Sequence, residues 1–267
     1  MKRILTCFVS TCLLIAILFA QPGVTEVRAM TPSSKGSLAI TEMTKMKNIA
    51  WTANTSPKVI ISGLNYSCGT IYKGMPYTWD ADTSYSAFLS DPALVYAAPI
   101  YRYYLSQPKN SNGTNRALGN DCSTAVALAW RAAGSGVSKS IYTGTMFNAA
   151  MSSQSCMKKR GSYTAPTGST TTTGWLTSSN YVAVYESMKP GDVCFYHYKK
   201  ADGTYSGHAI LITDVDCAND KVWYIDQIGG QSRIDSSAHS TWTSGTKSFS
   251  GMLNSGYVPI TTSDITI

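Results

Sequence analysis

A cysteine stands where this sequence indicates that a helix begins. Cys122 follows Asn120 and Asp121 and precedes the apolar stretch 124–130. Either polar residue can accept hydrogen bonds from the first free N–H groups of a helix, so the pattern predicts a helix that starts at Cys122. The positive end of a helix favours the thiolate, the form of cysteine that attacks carbonyl carbon. The sequence therefore offers Cys122 as a candidate nucleophile.

A nucleophilic thiol needs a base, and the base needs a group that orients it. The chain has three histidines, and His208 opens the apolar stretch 209–212. Asp226 and Gln227 lie on the strand that is expected to follow. Successive side chains of a strand alternate between its two faces, so only one of this pair can point at His208. The sequence leaves open whether Asp226 or Gln227 does so.

Each of these residues also has a structural explanation when it is taken alone. Most buried cysteines pack inertly, and Asp226 could cap the turn before Gly229. A single histidine on a strand is commonly structural, and we assign His197 and His239 to that class. The order of helix cysteine, strand histidine and polar residue on the next strand favours a catalytic site over these separate explanations.

The elements that would position the site follow from periodicity and turn residues. The helix that begins at Cys122 is expected to continue to about residue 133 and to end at Gly134, a favoured residue just beyond a helix. Three β-branched and aromatic runs separated by turn residues predict an antiparallel meander; they span 192–198, 208–215 and 221–228. Further expected elements are a helix at 38–46, a strand at 59–62, a turn at 74–77 and a short helix at 182–188.

Two segments have less regular patterns. Residues 80–118 are expected to be irregular, with a tyrosine-rich helical patch at 94–105. Residues 161–180 are rich in Ser, Thr and Gly, which predicts a surface insertion rather than a linker between domains. We therefore expect one domain over residues 30–267, with its core at about 70–230 and an α+β fold.

The first residues have the pattern of a secretory signal peptide. Lys2 and Arg3 precede the apolar run 4–20, and small residues suited to cleavage near Ala29 follow. An uncleaved membrane anchor is the alternative.

The chain is basic, with a net charge of +7 that stays positive when residues 1–29 are removed. This balance would favour adsorption to an anionic cell wall or membrane face, the alternative being a merely soluble basic protein. Basic residues do not cluster among aromatic ones, so the sequence gives no support for nucleic-acid binding.

An odd number of cysteines remains after the expected cleavage, which suggests one reactive thiol in a secreted protein. These cysteines are Cys68, Cys122, Cys156, Cys194 and Cys217. If Cys122 is the free thiol, the other four can form two disulfides, and the neighbouring expected strands make Cys194 and Cys217 a plausible pair. The four could equally all be reduced. Zinc-type spacing of cysteines and histidines is missing from the sequence.

Four short motifs in a fixed order resemble the NlpC/P60 superfamily of papain-like cysteine peptidases. They cover about residues 70–230: Gly-Met-Pro-Tyr at 74–77, Asp-Cys-Ser at 121–123, Lys-Pro-Gly-Asp-Val at 189–193 and Gly-His-Ala-Ile at 207–210. The resemblance implies a papain-like fold in which the nucleophile helix packs on an antiparallel β-sheet. Two positions depart from the usual family pattern. Thr124 stands where members more often have Gly, and Asp226-Gln227 is closer to the third position of CHAP-like relatives than to the common His.

The resemblance also implies roles and a substrate class. Cys122 would be the nucleophile and His208 the general base, and Tyr77, Asp121 and Ser123 would line the substrate subsite. Members typically cleave amide bonds in peptidoglycan stem peptides, often beside D-amino acids, and the chemistry requires no metal or organic cofactor. The alternatives are acyl transfer, a lipid or non-wall amide substrate, or a non-catalytic secreted binding protein on the same scaffold.

Overall fold

The computed structural model describes residues 33–54, 58–61, 63–152, 156–263 and 265. The expected signal peptide at 1–29 lies outside the described residues. The helices are α1 (Ser34–Asn48), α2 (Tyr85–Leu89), α3 (Cys122–Ala132), α4 (Thr143–Ser152), α5 (Tyr181–Glu186), α6 (Gln231–Ile234) and α7 (Phe249–Asn254). The strands are β1 (Ala50–Ala53), β2 (Lys58–Ile61), β3 (Leu64–Ser67), β4 (Ile71–Lys73), β5 (Leu94–Ala97), β6 (Arg102–Leu105), β7 (Met157–Lys159), β8 (Val193–Lys199), β9 (Tyr205–Asp216), β10 (Lys221–Gln227), β11 (Trp242–Ser248) and β12 (Val258–Thr262).

A six-stranded sheet forms the centre of the fold, in the order β11-β10-β9-β8-β12-β7. Every neighbouring pair in it is antiparallel. The predicted meander is confirmed as β8, β9 and β10, and the C-terminal strands β11 and β12 extend it on both sides. The fold is a mixture of helices and antiparallel sheet, so the α+β prediction is confirmed.

Helix α3 lies in the interior, between α1 and the strands β9 and β10. All residues from Cys122 to Trp130 are buried, because its mostly small side chains allow neighbouring elements to approach on every side. The indole N–H of Trp130 donates to the carbonyl of Gly191 at 2.8 Å, which joins the helix to the turn before β8. The central sheet and α1 therefore fix the position of the Cys122 end of the helix.

A second sheet, in the order β4-β1-β6-β5, corrects the prediction for 94–105. The expected helical patch is instead the antiparallel hairpin β5–β6. Tyrosine is a good strand residue, and Tyr96 pairs directly with Tyr103, with ring centroids 4.9 Å apart. Cross-strand tyrosine contacts therefore stabilise a hairpin where spacing alone suggested a helix.

The segment 161–180 is irregular but reaches well below the surface. Tyr163, Thr172, Trp175 and Leu176 are buried, and the ring of Trp175 packs on Phe147 of α4 with centroids 4.9 Å apart. Most residues of the segment are exposed, as expected of a surface insertion, and these few buried side chains anchor it to the core.

Helices of the described part of the chain are too short or too polar to span a lipid bilayer.

Candidate active site

Cys122 is the first residue of α3, as predicted. Asp121 is the N-cap: its carboxylate accepts the backbone N–H of Thr124 at 2.7 Å and the hydroxyl of Ser123 at 3.0 Å. Of the two residues that the sequence offered as the cap, Asp121 has the role, while the Asn120 amide donates to the carbonyl of Thr83. Cys122 is buried, with 6% of its surface exposed, and its thiol lies at the positive end of the helix.

His208 lies between Cys122 and Asp226. Its Nε2 is 2.8 Å from the Asp226 carboxylate oxygen Oδ2, and the pair is buried between the neighbouring strands β9 and β10. The Cys122 thiol is the second group that acts on the imidazole, and like Asp226 it raises the pKa of His208. Because Nε2 is bound to Asp226, Nδ1 is the ring nitrogen left for the thiol. Thr243 on β11 donates its hydroxyl to the other Asp226 oxygen, Oδ1, which fixes the orientation of the carboxylate.

The electrostatic environment of His208 favours its charged form. Burial lowers the pKa of the imidazole, but the hydrogen bond to Asp226 and the electrostatic interactions with Asp226 and Cys122 outweigh that effect and raise the pKa to about 9. Near neutral pH the site therefore holds an imidazolium between a carboxylate and a thiol group. The imidazolium therefore places a positive charge close to the Cys122 sulfur.

Gln227, the second candidate for orienting His208, has a different position. Its amide donates to the carbonyl of Met75 at 3.0 Å and lies 3.4 Å from the hydroxyl of Thr241. The indole N–H of Trp242 donates to the same Met75 carbonyl at 2.8 Å. Gln227 thus holds the segment before Tyr77, and the structure selects Asp226 as the partner of His208.

Tyr77 is placed beside Cys122 by close backbone contacts. A parallel β-bridge joins Tyr77 to Asn120, two residues before Cys122. Gly119 has a φ of 135° and lies close to Pro76. A Cβ atom on Gly119 would be 2.1 Å from the carbonyl oxygen of Pro76. A Cβ on Gly229 would likewise be 2.3 Å from the Tyr77 ring. Two positions that accept only glycine therefore let this tyrosine pack against the start of α3.

A groove of about 880 Å³ runs over these residues, and we call it the Cys122 groove. Tyr77, Asp121, Cys122, Ser123 and His208 all line it, so the three predicted subsite residues lie beside the thiol. The volume is in the range of pockets that hold small ligands. Burial raises the pKa of Tyr77, and the nearby Cys122 and Asp121 raise it further, so its hydroxyl stays protonated.

Several residues of the site were not anticipated from the sequence. Tyr196 lies directly opposite His208 in the pairing of β8 with β9. Trp79 is 78% exposed at the rim of the groove, and its indole N–H donates to the Tyr77 hydroxyl at 2.6 Å. Thr243 lies on β11, which was not predicted. The signal that the sequence did offer for Trp79 is its position, two residues after the predicted turn at 74–77.

The other two histidines have structural surroundings. His197 is buried, with Nδ1 3.2 Å from the Thr143 hydroxyl and its ring stacked on Tyr205 at 5.0 Å. His239 has Nδ1 2.9 Å from the carbonyl of Ile234, in the loop before β11. Both positions agree with the structural class to which the sequence assigned them. In the described part of the chain, groups of three or more His, Cys, Asp or Glu residues that could hold a metal ion do not occur.

All five described cysteines are free thiols, which corrects the suggested Cys194–Cys217 disulfide. Cys194 pairs with Ile210 near the middle of β9, whereas Cys217 lies in the turn after that strand. At the usual rise per residue the two are about 20 Å apart, far beyond disulfide reach. Cys194 packs instead against Met188, and burial raises the pKa of its thiol.

The chain was compared with protein-family models, curated proteins and solved structures, and none of the three comparisons found a match.

Proposed function

We propose that this protein is a cysteine hydrolase that cleaves amide bonds in peptidoglycan stem peptides. The observation that carries the proposal is the buried His208–Asp226 pair beside Cys122, with the thiol and the imidazole together on the wall of an open groove. A buried acid that holds an imidazole against a thiol is the arrangement that activates a cysteine nucleophile. A purely structural histidine would not need a thiol on one side and a carboxylate on the other.

In the proposed mechanism, the Cys122 thiolate attacks the scissile carbonyl carbon and forms a tetrahedral intermediate. The C–N bond then breaks as His208 gives its proton to the departing amine, which leaves an acyl group on Cys122. His208, now neutral, removes a proton from a water molecule that attacks the thioester. The C–S bond then breaks, which releases the acid and regenerates the Cys122 thiolate and the His208 imidazolium.

The start of α3 supplies the electrostatic stabilisation that this mechanism needs. N–H groups in the first turn of a helix lack partners within the helix, and the backbone N–H of Cys122 lies beside the attacking sulfur. Such a donor to the oxyanion is worth about 2.7–4 kcal/mol in comparable enzymes. Asp226 keeps the imidazole oriented, so we assign the three residues the roles of nucleophile, acid–base group and positioning residue.

The substrate class rests on three supports. The groove has a volume of about 880 Å³, and its aromatic side chains Tyr77 and Trp79 suit packing against a peptide backbone. The four motifs resemble a superfamily that acts on stem peptides. The N-terminal sequence is typical of an exported protein, which would bring the enzyme to the cell wall. We therefore propose a papain-like NlpC/P60 enzyme that acts outside the cytoplasm.

Digestion of purified peptidoglycan tests this proposal. The wild-type protein should release stem-peptide fragments, detected by mass spectrometry, and Cys122→Ala should release none while its circular dichroism spectrum is unchanged. Cys217→Ala is the matched control, because it removes an exposed thiol in a turn outside the groove. Equal digestion by wild type and Cys122→Ala would contradict the enzyme assignment. Binding of fragments without cleavage by either protein would indicate a binding protein on this scaffold.

A further inference from the structure

A smaller cavity lies beside the Cys122 groove, and we call it the Tyr142 cavity. It has a volume of about 290 Å³, at the lower end of the range for pockets that bind small molecules. Tyr142 and Tyr205 line both the cavity and the groove, so the two spaces are adjacent. The start of α4, the segment 161–180, β8 and β9 all contribute to the cavity, whose walls include Tyr142, Phe147, Asn148, Thr170, His197 and Tyr205.

The described walls of the Tyr142 cavity are uncharged. They contain no Lys, Arg, Asp or Glu side chain, and burial lowers the pKa of His197, so that its ring is neutral near pH 7. The ammonium group of Lys199 lies over the ring of Tyr205 at 5.9 Å, but Lys199 is not one of the wall residues. A charged ligand would give up hydration here without gaining a counter-charge. The cavity therefore favours an uncharged ligand.

Tyr142 gives this cavity an open aromatic face. Its side chain is 63% exposed, whereas the ring of Tyr205 already stacks on His197, with centroids 5.0 Å apart. A Cβ atom on Gly144 would be 2.4 Å from the Tyr142 ring, so the ring packs closely on the first turn of α4. The negative face of a ring held in this way attracts the polarised C–H groups of a ligand.

Neutral hydrogen-bonding groups complete the walls. Asn148 and Thr170 are exposed, and within the described part of the chain neither side chain is hydrogen-bonded to another group. An amide and a hydroxyl can each donate and accept. A purely apolar ligand would cover these groups without satisfying them, which costs free energy, whereas the hydroxyl groups of a ligand can pair with them.

An aromatic face beside neutral donors and acceptors matches the chemistry of a sugar ring, which has C–H groups on its faces and hydroxyl groups at its edge. We propose that the Tyr142 cavity binds an uncharged sugar ring and holds the glycan strand next to the stem peptide in the Cys122 groove. The assignment to the glycan strand rests on the proposed function, because stem peptides are attached to sugar chains.

Binding of a peptide-free sugar tests this inference without any need for cleavage. The probe is chitotetraose, a neutral chain of four N-acetylglucosamine units, titrated into the protein and followed by proton NMR. The ring signals of His197 should shift, whereas those of His239, which lies outside the cavity, should not. Tyr142→Ala should weaken binding about three- to tenfold, as the loss of one aromatic contact allows. Asn148→Ala should weaken it about two- to tenfold, through one lost hydrogen bond.

Tyr101→Ala is the matched control, because it removes a tyrosine that is 77% exposed in the loop between β5 and β6 and lines neither space. It should bind the sugar like the wild type. The inference would be overturned if the wild type did not bind, if Tyr142→Ala and Asn148→Ala both kept its affinity, or if Tyr101→Ala weakened binding equally. Failure here with normal release of stem-peptide fragments would reject the sugar site alone. Sugar binding that depends on Tyr142, without any release of fragments, would instead reject the proposed cleavage.

Discussion

Two buried histidines on neighbouring strands have opposite electrostatic environments. His197 on β8 and His208 on β9 lie one step apart in the register that pairs Tyr196 with His208. Burial alone lowers the pKa of His197, whose partner is the neutral hydroxyl of Thr143. At His208 the same desolvation is outweighed by Asp226 and Cys122. Burial alone therefore lowers the pKa of a histidine, and the groups placed around His208 reverse that effect.

The largest expected difference between the two histidines is in turnover. His208→Ala should lower kcat/KM for peptidoglycan fragments by about 10²–10⁴-fold, because the acid–base group is lost. His197→Ala should change kcat/KM only slightly but destabilise the fold by about 1–3 kcal/mol, because it removes a ring packed on Tyr205 and Phe147. Steady-state kinetics and urea unfolding measure the two effects. Comparable losses of activity in both variants would contradict the different roles proposed for His208 and His197.

A second difference separates the adjacent residues Asp226 and Gln227. Asp226→Ala should reduce kcat by at least about tenfold and lower the pKa of His208, since the oriented carboxylate is lost. Gln227→Ala should leave the titration of His208 unchanged and act through the segment that holds Tyr77, mainly on KM. Proton NMR of the imidazole together with kinetics distinguishes the two roles. If neither variant alters turnover, the placement of the orienting residue is wrong.

The smallest expected effect is on the pH dependence of stability, and it differs in sign between the histidines. The pKa of His208 is raised to about 9 from an ordinary value near 6.5, so its contribution to stability is complete below about pH 6.5 and is lost as the pH rises through about 9. The pKa of His197 is lowered, so its contribution is lost as the pH falls below about 6.5. Urea unfolding between pH 5 and 10 should show that the wild-type protein loses stability at high pH and that His208→Ala does not show this loss.

Local signals in the sequence were sufficient to predict the position of Cys122 and the helix that it begins. Polar residues before an apolar run, and Gly134 after it, predicted the start of α3 at Cys122 and its end near residue 133. The alternation rule also predicted that only one of Asp226 and Gln227 faces His208. Because cap geometry and alternation depend on neighbours in the chain, they can be inferred from one sequence.

What the sequence could not supply depends on contacts between distant segments. The choice of Asp226 depends on how β10 is aligned with β9, where the register shifts between Trp223 and Tyr224. The hairpin at 94–105 depends on tyrosine pairs across two strands, and the anchoring of 161–180 depends on the contact of Trp175 with α4. Local patterns contain no information about these partners.

Alkylation of Cys122 tests most directly whether His208 activates the thiol. Native protein should react rapidly with iodoacetamide near pH 7, with peptide mapping placing the label on Cys122, and His208→Ala should react much more slowly. His197→Ala is the matched control and should react like the wild type, because His197 is bonded to Thr143. Labelling of Cys122 that requires denaturant, or that is equally fast in His208→Ala, would contradict the proposed site.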